Sequence, residues 1–405
     1  MSDMKEKLKE YCTVISGYTF KSKDLSEGTD IPIIKIGNIS NGESVIIDDT
    51  TQYVNDEFLS IDKKYHIQNG DILISLTGSH MNQPNSMVGR CCRNLNDAVY
   101  LLNQRAGKII PKKTVNKDFL YYVFRLKSIQ YAIANRAYGG ANQVNVSPKD
   151  VMGIKFTIPD ITVQNRIADI LTTYDNLIEN NNKRIKLLEE MAENLYKEWF
   201  VRFRFPGYED VEFEEKKPRG WQVGTEDKKH FAPTIFKYDE LRTIGNFVRG
   251  KNITAAKMVE GYIPVISAGL QPSGYHNEAN AYGVSLTISA SGANAGYLQY
   301  HMNDIWAADC SYYQDEATIW FVYNMLKYLQ PVISNLQCGA AQPHVYPKNI
   351  NKLCVLIPTD ELIFKYNDFV KPYYDEIKIL NQHNQLLTKQ RDLLLPRLMS
   401  GKLDV

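Results

Sequence analysis

The chain has 405 residues, 44% of them hydrophobic and 23% charged, values ordinary for a globular protein of two or three domains. Its 47 basic and 46 acidic residues leave a net charge of +1. The overall charge therefore gives no indication of a nucleic-acid partner. The six cysteines form no CxxC pair, so we expect reduced thiols and no zinc site. The N-terminus is too charged for a signal peptide, and no apolar run is long enough to span a bilayer. We therefore expect a cytoplasmic protein.

The charge is unevenly distributed along the chain. Residues 81–155 hold twelve Lys or Arg and three Asp or Glu, a local excess of +9. A basic segment of this kind is typical of a phosphate-binding surface, and equally of an ordinary solvated face. Both interpretations stay open on composition alone.

The first third of the chain is predicted to be rich in short strands. Apolar or β-branched runs bounded by Gly, Pro, Asn or Asp predict strands at 31–36, 71–76 and 154–158. A helix is predicted at about 117–134.

A long helix is predicted next, because residues 161–205 contain neither Pro nor Gly. Asp160 or Thr162 is the expected N-cap. Apolar residues alternate at spacings of four and three for more than four heptads, which is typical of a coiled-coil seam. The predicted seam residues here are Ile167, Leu171, Tyr174, Ile178, Ile185, Leu188 and Leu195, with Asn181 among them.

The C-terminal half of the chain repeats the N-terminal half. Residues 140–151 recur as 339–350, and the offset of 199 holds through the helix that follows. Upstream, residues 31–34 match 263–266 at an offset of 232. The strand at 353–357 and the helix at 317–336 are the expected counterparts of first-half elements.

The repeat predicts a second long helix with the same seam. Its predicted seam residues are Tyr373, Ile377, Leu380, Leu387 and Leu394, with Asn384 among them. Pro372 is acceptable near a helix start or as a kink, Arg391 is a charged seam residue, and Pro396 predicts the helix end. We expect the two helices to form an antiparallel pair whose Asn residues fix the register. Ordinary packing helices with chance polar residues remain the alternative.

The sequence lacks motifs for catalysis. There is no GxxxxGK[ST], HExxH or GxSxG segment, and the seven histidines stand at no metal-ligand spacing. A binding role is therefore favoured over an enzymatic one.

Polar, glycine-rich loops recur in both halves, at 78–86 and 289–296 and again at 139–145 and 339–344. Asn and Gln amides form bidentate bonds with adenine, and Arg or Lys bind guanine or phosphate. The alternative is that the Gly and Asn residues of these loops serve only to make turns. The candidate DNA-binding residues are Lys21, Lys23, Ser79, His80, Asn82, Gln83, Asn85, Arg90, Arg105, Asn142, Gln143, Asn145, Lys251, Asn252, Ser291, Asn294, Tyr297, Gln342 and His344.

Several segments resemble type I restriction-modification specificity subunits. Residues 164–171, 175–178 and 195–200 are similar to the central conserved region of that family, and residues 203–207 are also typical. The closing segment 394–403 is highly specific for it. The resemblance covers the layout of the whole chain, although the motifs lie only in the helices and the loops entering them.

This resemblance implies an α+β fold with two globular target-recognition domains separated by two long antiparallel helices that form a coiled coil, as a pseudo-two-fold internal repeat. The expected domains are 1–160 and 221–360 for recognition, and 161–220 and 361–405 for the helices. It implies a non-catalytic subunit in which each recognition domain binds one half of a bipartite DNA site. The helices would set the spacing and dock the methyltransferase subunits.

The resemblance also names partners. Double-stranded DNA, two methyltransferase subunits and the ATP-dependent restriction subunits are expected, and no membrane. S-adenosylmethionine and ATP would bind those partners, so no cofactor is expected on this chain. The alternatives are a recognition chain serving a combined restriction-methylation enzyme, a coiled-coil adaptor that does not bind DNA, and an enzyme with an unrecognised site.

Overall fold

The structure is a computed structural model that describes residues 5–26, 30–39, 44–48, 50–80, 87–140, 143–216, 230–338 and 343–403. The chain divides into two compact units. The first unit comprises Met1–Ile178 with Gln385–Val405, and the second comprises Glu179–Asn384. Each unit therefore combines a globular part with a stretch of both long helices.

Nine α-helices lie within the described residues, and two of them, α5 and α9, contain 36 and 40 residues. A π-helical turn, Lys197–Val201, follows α5. The helices are α1 (Ile36–Ile39), α2 (Lys117–Arg125), α3 (Lys127–Ala134), α4 (Pro148–Met152), α5 (Ile161–Tyr196), α6 (Ile319–Tyr328), α7 (Gln330–Ser334), α8 (Pro347–Asn351) and α9 (Asp360–Met399).

The described strands of the first unit are β1 (Glu6–Lys7), β2 (Cys12–Ser16), β3 (Leu25–Ser26), β4 (Ile31–Ile34), β5 (Gln52–Val54), β6 (His66–Ile67), β7 (Ile72–Ser75), β8 (Thr77–Gly78), β9 (Cys91–Arg93), β10 (Tyr100–Leu102), β11 (Ala106–Pro111), β12 (Tyr138–Gly139), β13 (Val144–Asn145) and β14 (Lys155–Phe156). They form sheets of order β3-β5-β4-β10-β6, β2-β11-β7-β9, β12-β13-β8 and β1-β14. Strands β4 and β10 run parallel.

The described strands of the second unit are β15 (Phe213–Lys216), β16 (His230–Pro233), β17 (Lys237–Glu240), β18 (Val248–Arg249), β19 (Ile263–Ile266), β20 (Gly274–His276), β21 (Ser285–Ser289), β22 (Leu298–His301), β23 (Trp306–Ala307), β24 (Cys310–Tyr313) and β25 (Cys354–Ile357). Their sheets are β20-β19-β23, β18-β24-β21-β22, β17-β25 and β15-β16. Strands β19 and β23 run parallel, as β4 and β10 do.

Equivalent sheets in the two units confirm the predicted internal repeat. The order β2-β11-β7-β9 of the first unit matches β18-β24-β21-β22 of the second. The matched sequences 31–34 and 263–266 form β4 and β19, each of which has a parallel neighbour. The predicted mixture of short strands and helices is therefore confirmed in both halves.

The helix predicted at 117–134 is interrupted in the structure. Asn116 caps α2 by accepting hydrogen bonds from the backbone N–H groups of Asp118 and Phe119. Leu126 then adopts an extended conformation with ψ of 128°, which ends α2 before α3 begins. The buried Leu126 side chain packs in the same core as Ile129 and Ile133 of α3, so packing overrides helical propensity.

The predicted counterpart at 317–336 is likewise two helices, α6 and α7. Leu329 separates them, and Pro331 lies in the first turn of α7. Proline has no backbone N–H and is accepted in the first turn of a helix, so its position favours a new helix there over continuation of α6.

In the second unit, α5 and α9 pair in the predicted antiparallel direction. Asn181 donates from Nδ2 to Oδ1 of Asn384 at 2.9 Å, and the Tyr366 hydroxyl donates to the Ala192 carbonyl oxygen at 2.8 Å. Residue numbers thus increase along α5 as those of the contacting residues on α9 decrease. The hydrogen bond between the two seam Asn residues fixes the register of the helices.

In the first unit, the same two helices contribute to one apolar core. Ile167 and Leu171 of α5 lie in a cluster with Leu395 and Leu398 of α9. Beside this cluster, buried Arg391 forms an ion pair with Asp175, with 2.6 Å between Nη1 and Oδ1. The charged seam residue is therefore accommodated by a carboxylate on the facing helix.

The burial of the remaining predicted seam residues follows the helix pair. Ile377 and Leu380 are buried, as are Ile167 and Leu171. Partial burial is found at Tyr174, Ile178, Ile185, Leu188, Leu195, Tyr373, Leu387 and Leu394. Tyr374, which the heptad pattern did not select, is only 1% exposed.

The helix ends differ in part from expectation. Asp160 is the N-cap of α5, since its Oδ1 accepts from the N–H groups of Thr162 and Val163. The expected end of α9 at Pro396 is wrong, because the helix continues to Met399. The Pro396 carbonyl still accepts a hydrogen bond from Ser400 N–H, and the chain leaves the helix at Gly401, where φ is +69°.

Candidate nucleic-acid interface

In each unit, one glycine lies in close backbone contact with a neighbouring loop, and the two contacts are equivalent. Gly17 N–H donates to the Ala106 carbonyl oxygen at 3.0 Å, and Gly250 N–H donates to that of Cys310 at 2.8 Å. A Cβ atom on Gly17 would lie 2.3 Å from the Leu102 carbonyl oxygen, and one on Gly250 2.5 Å from that of Ala308. Only glycine permits this approach.

The loop after β10 in the first unit has the same backbone bonding as the loop after β23 in the second. Leu76 N–H donates to the Arg105 carbonyl oxygen at 3.0 Å, and Ala290 N–H donates to that of Asp309 at 3.2 Å. Arg105 and Asp309 are therefore equivalent positions. They carry side chains of opposite charge at positions that accept the same backbone hydrogen bond, and the loop of the first unit is one residue longer.

The first-unit loop is a cationic cluster. Exposed Arg105 makes no ion pair within the described part of the chain, and Lys35 stands close to it. Burial, and next the nearby Arg105 charge, lower the pKa of Lys35. Gln52 accepts from Lys35, and the Thr19 hydroxyl donates to Gln104 at 2.8 Å. Such a cluster can hold a phosphate or the acceptors of a base edge.

The second-unit loop contains a charge-compensated cluster. Arg249 lies 2.5 Å from Asp309, measured from Nη2 to Oδ1. The Ser291 hydroxyl donates to the other oxygen of Asp309. Their side chains line a cleft of about 530 Å³. The other lining residues are Asn252, Ile253, Thr254, Lys257, Ser267, Ala308 and His344.

The structure brings together the two predicted polar loops within each unit. In the first unit, Gly78 of β8 pairs with Val144 of β13, and the Thr77 hydroxyl donates to Asn145 Oδ1 at 2.7 Å. In the second unit, Ser291 forms an isolated β-bridge with His344. Loops far apart in sequence therefore form one polar surface in each unit.

The candidate DNA-binding residues differ in their accessibility. Exposed side chains are found at Lys21, Lys23, Arg105, Gln143, Lys251, Asn252 and Tyr297. Partly buried ones are found at His80, Arg90, Asn145, Ser291, Asn294 and His344. Ser79 is buried, which removes its side chain from the surface in this conformation. The candidates outside the described residues are Asn82, Gln83, Asn85, Asn142 and Gln342.

No local pattern in the sequence pointed to Arg249, Asp309 or Lys35 as site residues. Arg249 and Asp309 are 60 residues apart, and no local pattern links them. One signal was present: Gly17 and Gly250 lie 233 residues apart, close to the offset of 232 that relates β4 to β19. Extending the repeat upstream would have placed Arg249 beside the second glycine.

The described ranges contain neither a candidate metal site nor a candidate membrane-spanning helix. Across the described ranges, no group of three or more His, Cys, Asp or Glu side chains is arranged to hold a metal ion. None of the helices in these ranges is both long enough and apolar enough to cross a membrane.

Comparison with known proteins places these features in a family. The family described as "Type I restriction modification DNA specificity domain" matches residues 1–190 and 235–389. The type I restriction enzyme MjaIX specificity subunit of Methanocaldococcus jannaschii is 27% identical over 320 residues, which cover 75% of this chain and 73% of that protein. The putative MjaX specificity subunit of the same organism is 25% identical, over 98% of this chain and 93% of its own.

A solved structure shares the fold. The crystal structure of the type I restriction-modification S subunit from M. genitalium superposes with a TM-score of 0.55 at 18% sequence identity, covering 98% of this chain and 95% of that one. The family match spans more than half of the sequence and both units. The chain therefore belongs to the type I restriction-modification DNA specificity family.

Proposed function

We propose that each unit binds one half of a bipartite DNA sequence through the loops around Gly17 and Gly250. The observation that carries this proposal is the charge reversal between Arg105 and Asp309 on equivalent backbone. A scaffold that occurs twice in the chain, with different side chains in each copy, is suited to a target whose two halves differ. The chain is a specificity subunit and not the catalytic one, in agreement with its family.

The proposal assigns the long helices the role of a spacer. Residues 161–178 of α5 belong to the first unit and 179–196 to the second, so one continuous helix serves both. The Asn181–Asn384 hydrogen bond supports a fixed register between α5 and α9. Adding one heptad to both helices is expected to lengthen the unrecognised gap and leave the recognised bases unchanged.

Type I specificity subunits act within a complex and bind DNA. We assign two methyltransferase subunits and the restriction subunits to this chain as partners, with S-adenosylmethionine and ATP bound by them. Large apolar side chains exposed on α5 and α9 support a helix-mediated docking surface. They are Ile161, Leu177, Leu187, Met191, Phe364, Phe369, Ile379, Leu386 and Leu393. The DNA target implies a cytoplasmic location.

The experiment is methylome sequencing of a host that carries this chain together with its methyltransferase. A split motif with methylated adenines on both strands is the expected result. Replacing residues 11–153 by the corresponding arm of another specificity subunit should change one half of the motif only. A change in both halves, or a gap that stays constant after the heptad insertion, would contradict the arrangement proposed here.

A further inference from the structure

We infer that Arg249 recognises a guanine base in the half-site bound by the second unit, and that Asp309 positions the arginine for this contact. This inference rests on the proposed function, because it names the base that one of the two units contacts. Arg249 is the contacting residue. Asp309 acts through it.

The backbone of Arg249 is held on both sides. Arg249 pairs with Ser311 in the antiparallel ladder between β18 and β24. The next two residues, Gly250 and Lys251, donate backbone hydrogen bonds to the carbonyl oxygens of Cys310 at 2.8 Å and Ala307 at 2.9 Å. The Cα atom from which the arginine projects is therefore fixed by the sheet and by the glycine contact.

The far end of the side chain is held as well. The Arg249 guanidinium contacts Asp309 Oδ1 at 2.5 Å, and Ser291 occupies the other carboxylate oxygen. The Arg249 side chain is 39% exposed, and among the described residues Asp309 is its one hydrogen-bonding partner. Because a guanidinium carries five N–H donors, some of them remain for a ligand. An arginine fixed at both ends loses little conformational entropy on binding.

The chemistry of this pair favours a base edge over a phosphate. A phosphate gains from an uncompensated cation, but Asp309 compensates Arg249 and would repel a phosphate. Guanine presents N7 and O6 as neutral acceptors in the major groove, and the arginine fork matches them. Arg249, held in place by Asp309, is therefore suited to the major-groove edge of a guanine.

The surroundings agree with this assignment. Exposed Lys257 lines the same cleft and, within the described part of the chain, forms no ion pair. It is suited to a flanking phosphate. The first unit differs here, since Ser16 occupies the position before Gly17 that Arg249 occupies before Gly250. The inferred contact is thus specific to the second unit.

The test measures DNA binding by the complex of this chain with its methyltransferase subunit, using a randomised target library at several salt concentrations. Arg249→Gln is expected to reduce the preference for guanine at one position of one half-site by roughly tenfold to a hundredfold. Its salt slope should stay that of the unmodified chain. Arg249→Lys keeps the charge and loses the fork, so it should relax the same position.

Two variants in the same cleft act as controls. Lys257→Gln should lower the salt slope by about one and leave all base preferences unchanged. Asp309→Asn should weaken the guanine preference and raise the salt slope of non-specific binding, because it leaves the Arg249 charge uncompensated. A purely structural role of Asp309 would weaken the base preferences at every position of this half-site and not only at the guanine. Base preferences at the other positions of the same half-site report whether the second unit is folded in each variant.

Two results would overturn the inference. One is unchanged base preference at every position in both Arg249 variants. The other is a uniform loss of affinity for all sequences in Arg249→Gln with a salt slope lower by about one, which would indicate a phosphate contact. If the unmodified complex shows no base preference in either half-site, the proposed function itself fails. Intact preferences that survive both substitutions refute only the role of Arg249.

Discussion

The two units carry side chains of opposite charge at equivalent backbone positions. Arg105 in the first unit and Asp309 in the second accept equivalent hydrogen bonds from Leu76 and Ala290. Lys35 adds to the positive charge in the first unit, whereas Arg249 neutralises Asp309 in the second. What is common to the units is main-chain geometry, and what differs is side-chain chemistry. A duplicated scaffold can therefore change its ligand without changing its fold.

The units also differ in how their globular parts hold α9. In the first unit, Asp175 joins Arg391 to the Tyr122 hydroxyl, which donates to Asp175 Oδ2 at 2.6 Å. In the second unit, Trp320 stacks on Tyr374 with 3.6 Å between ring centroids, and Asn324 Nδ2 donates to the Tyr374 hydroxyl at 3.0 Å. A charged network in the first unit and an aromatic stack in the second thus both hold α9 against the globular part. Substitutions in one should destabilise its own unit and leave the other unit unchanged.

The largest effect is expected for Tyr374→Ala. Tyr374 is fully buried, so its removal leaves a cavity and should lower the free energy of unfolding of the second unit by about 4 kcal/mol. Hydrogen exchange followed by mass spectrometry, read on peptides from each unit, measures this. Ile379→Ala, at an exposed site on the same helix, is the matched control. Equal loss of protection in both units would show that this contact does not belong to the second unit alone.

Asp175→Ala should destabilise the first unit by about 2–3 kcal/mol. Among the described residues, the substitution leaves buried Arg391 with only Asp392 as an acidic partner. The expected value is reduced because Asp175 is 20% exposed. The double variant Asp175→Leu with Arg391→Met should lie close to the unmodified protein. Chemical denaturation with unit-resolved hydrogen exchange is the measurement.

The exposed pair of Arg184 and Glu376 offers the control for that substitution. Glu376→Ala should cost less than about 1 kcal/mol, because solvent screens the charges. If Asp175→Ala proved as mild, the charged network would not be what holds α9 in the first unit.

Gly17→Ala should destabilise the first unit by about 2 kcal/mol, because the added Cβ meets carbonyl oxygens at 2.3 and 2.4 Å. Gly250→Ala should act in the same way on the second unit. Gly37→Ala is the control, since nothing lies within 4 Å of its Cβ position. Thermal unfolding and hydrogen exchange distinguish the three. Tolerance of alanine at Gly17 and Gly250 would remove the basis for treating the two loops as equivalent.

The smallest effect is a pH dependence confined to the second unit. Burial lowers the pKa of His301 to about 4, so the folded unit keeps this side chain neutral. The unfolded chain binds the proton near pH 6.5, and stability is therefore present above that pH and lost as the pH falls toward 4. About 1 kcal/mol should disappear between pH 7.5 and 5.5, as measured by denaturant titration.

His301→Asn is the control for the pH dependence. Asn94 occupies the equivalent position in the first unit, after β9, where it is fully buried and does not titrate. The substitution should remove the pH dependence of the second unit. An unchanged dependence in this variant would assign the effect to another group.

Local pattern in the sequence was sufficient for the long helices, the main strands and the repeat. Heptad spacing at Ile167 and Leu171, and the repeated 31–34 and 263–266 segments, are properties of the chain itself. The hydrogen bond between Asn181 and Asn384 follows from the same pattern, because both stand in the predicted seam.

Tertiary packing alone decided the rest. Burial of Leu126 ended α2 within a predicted helix, and hydrogen bonding beyond Pro396 extended α9 past its expected end. The pairs Arg249–Asp309 and Arg391–Asp175 join residues 60 and 216 positions apart. Periodicity determines which face of a helix or strand is apolar, but which distant charges meet depends on how the sheets and helices assemble in three dimensions.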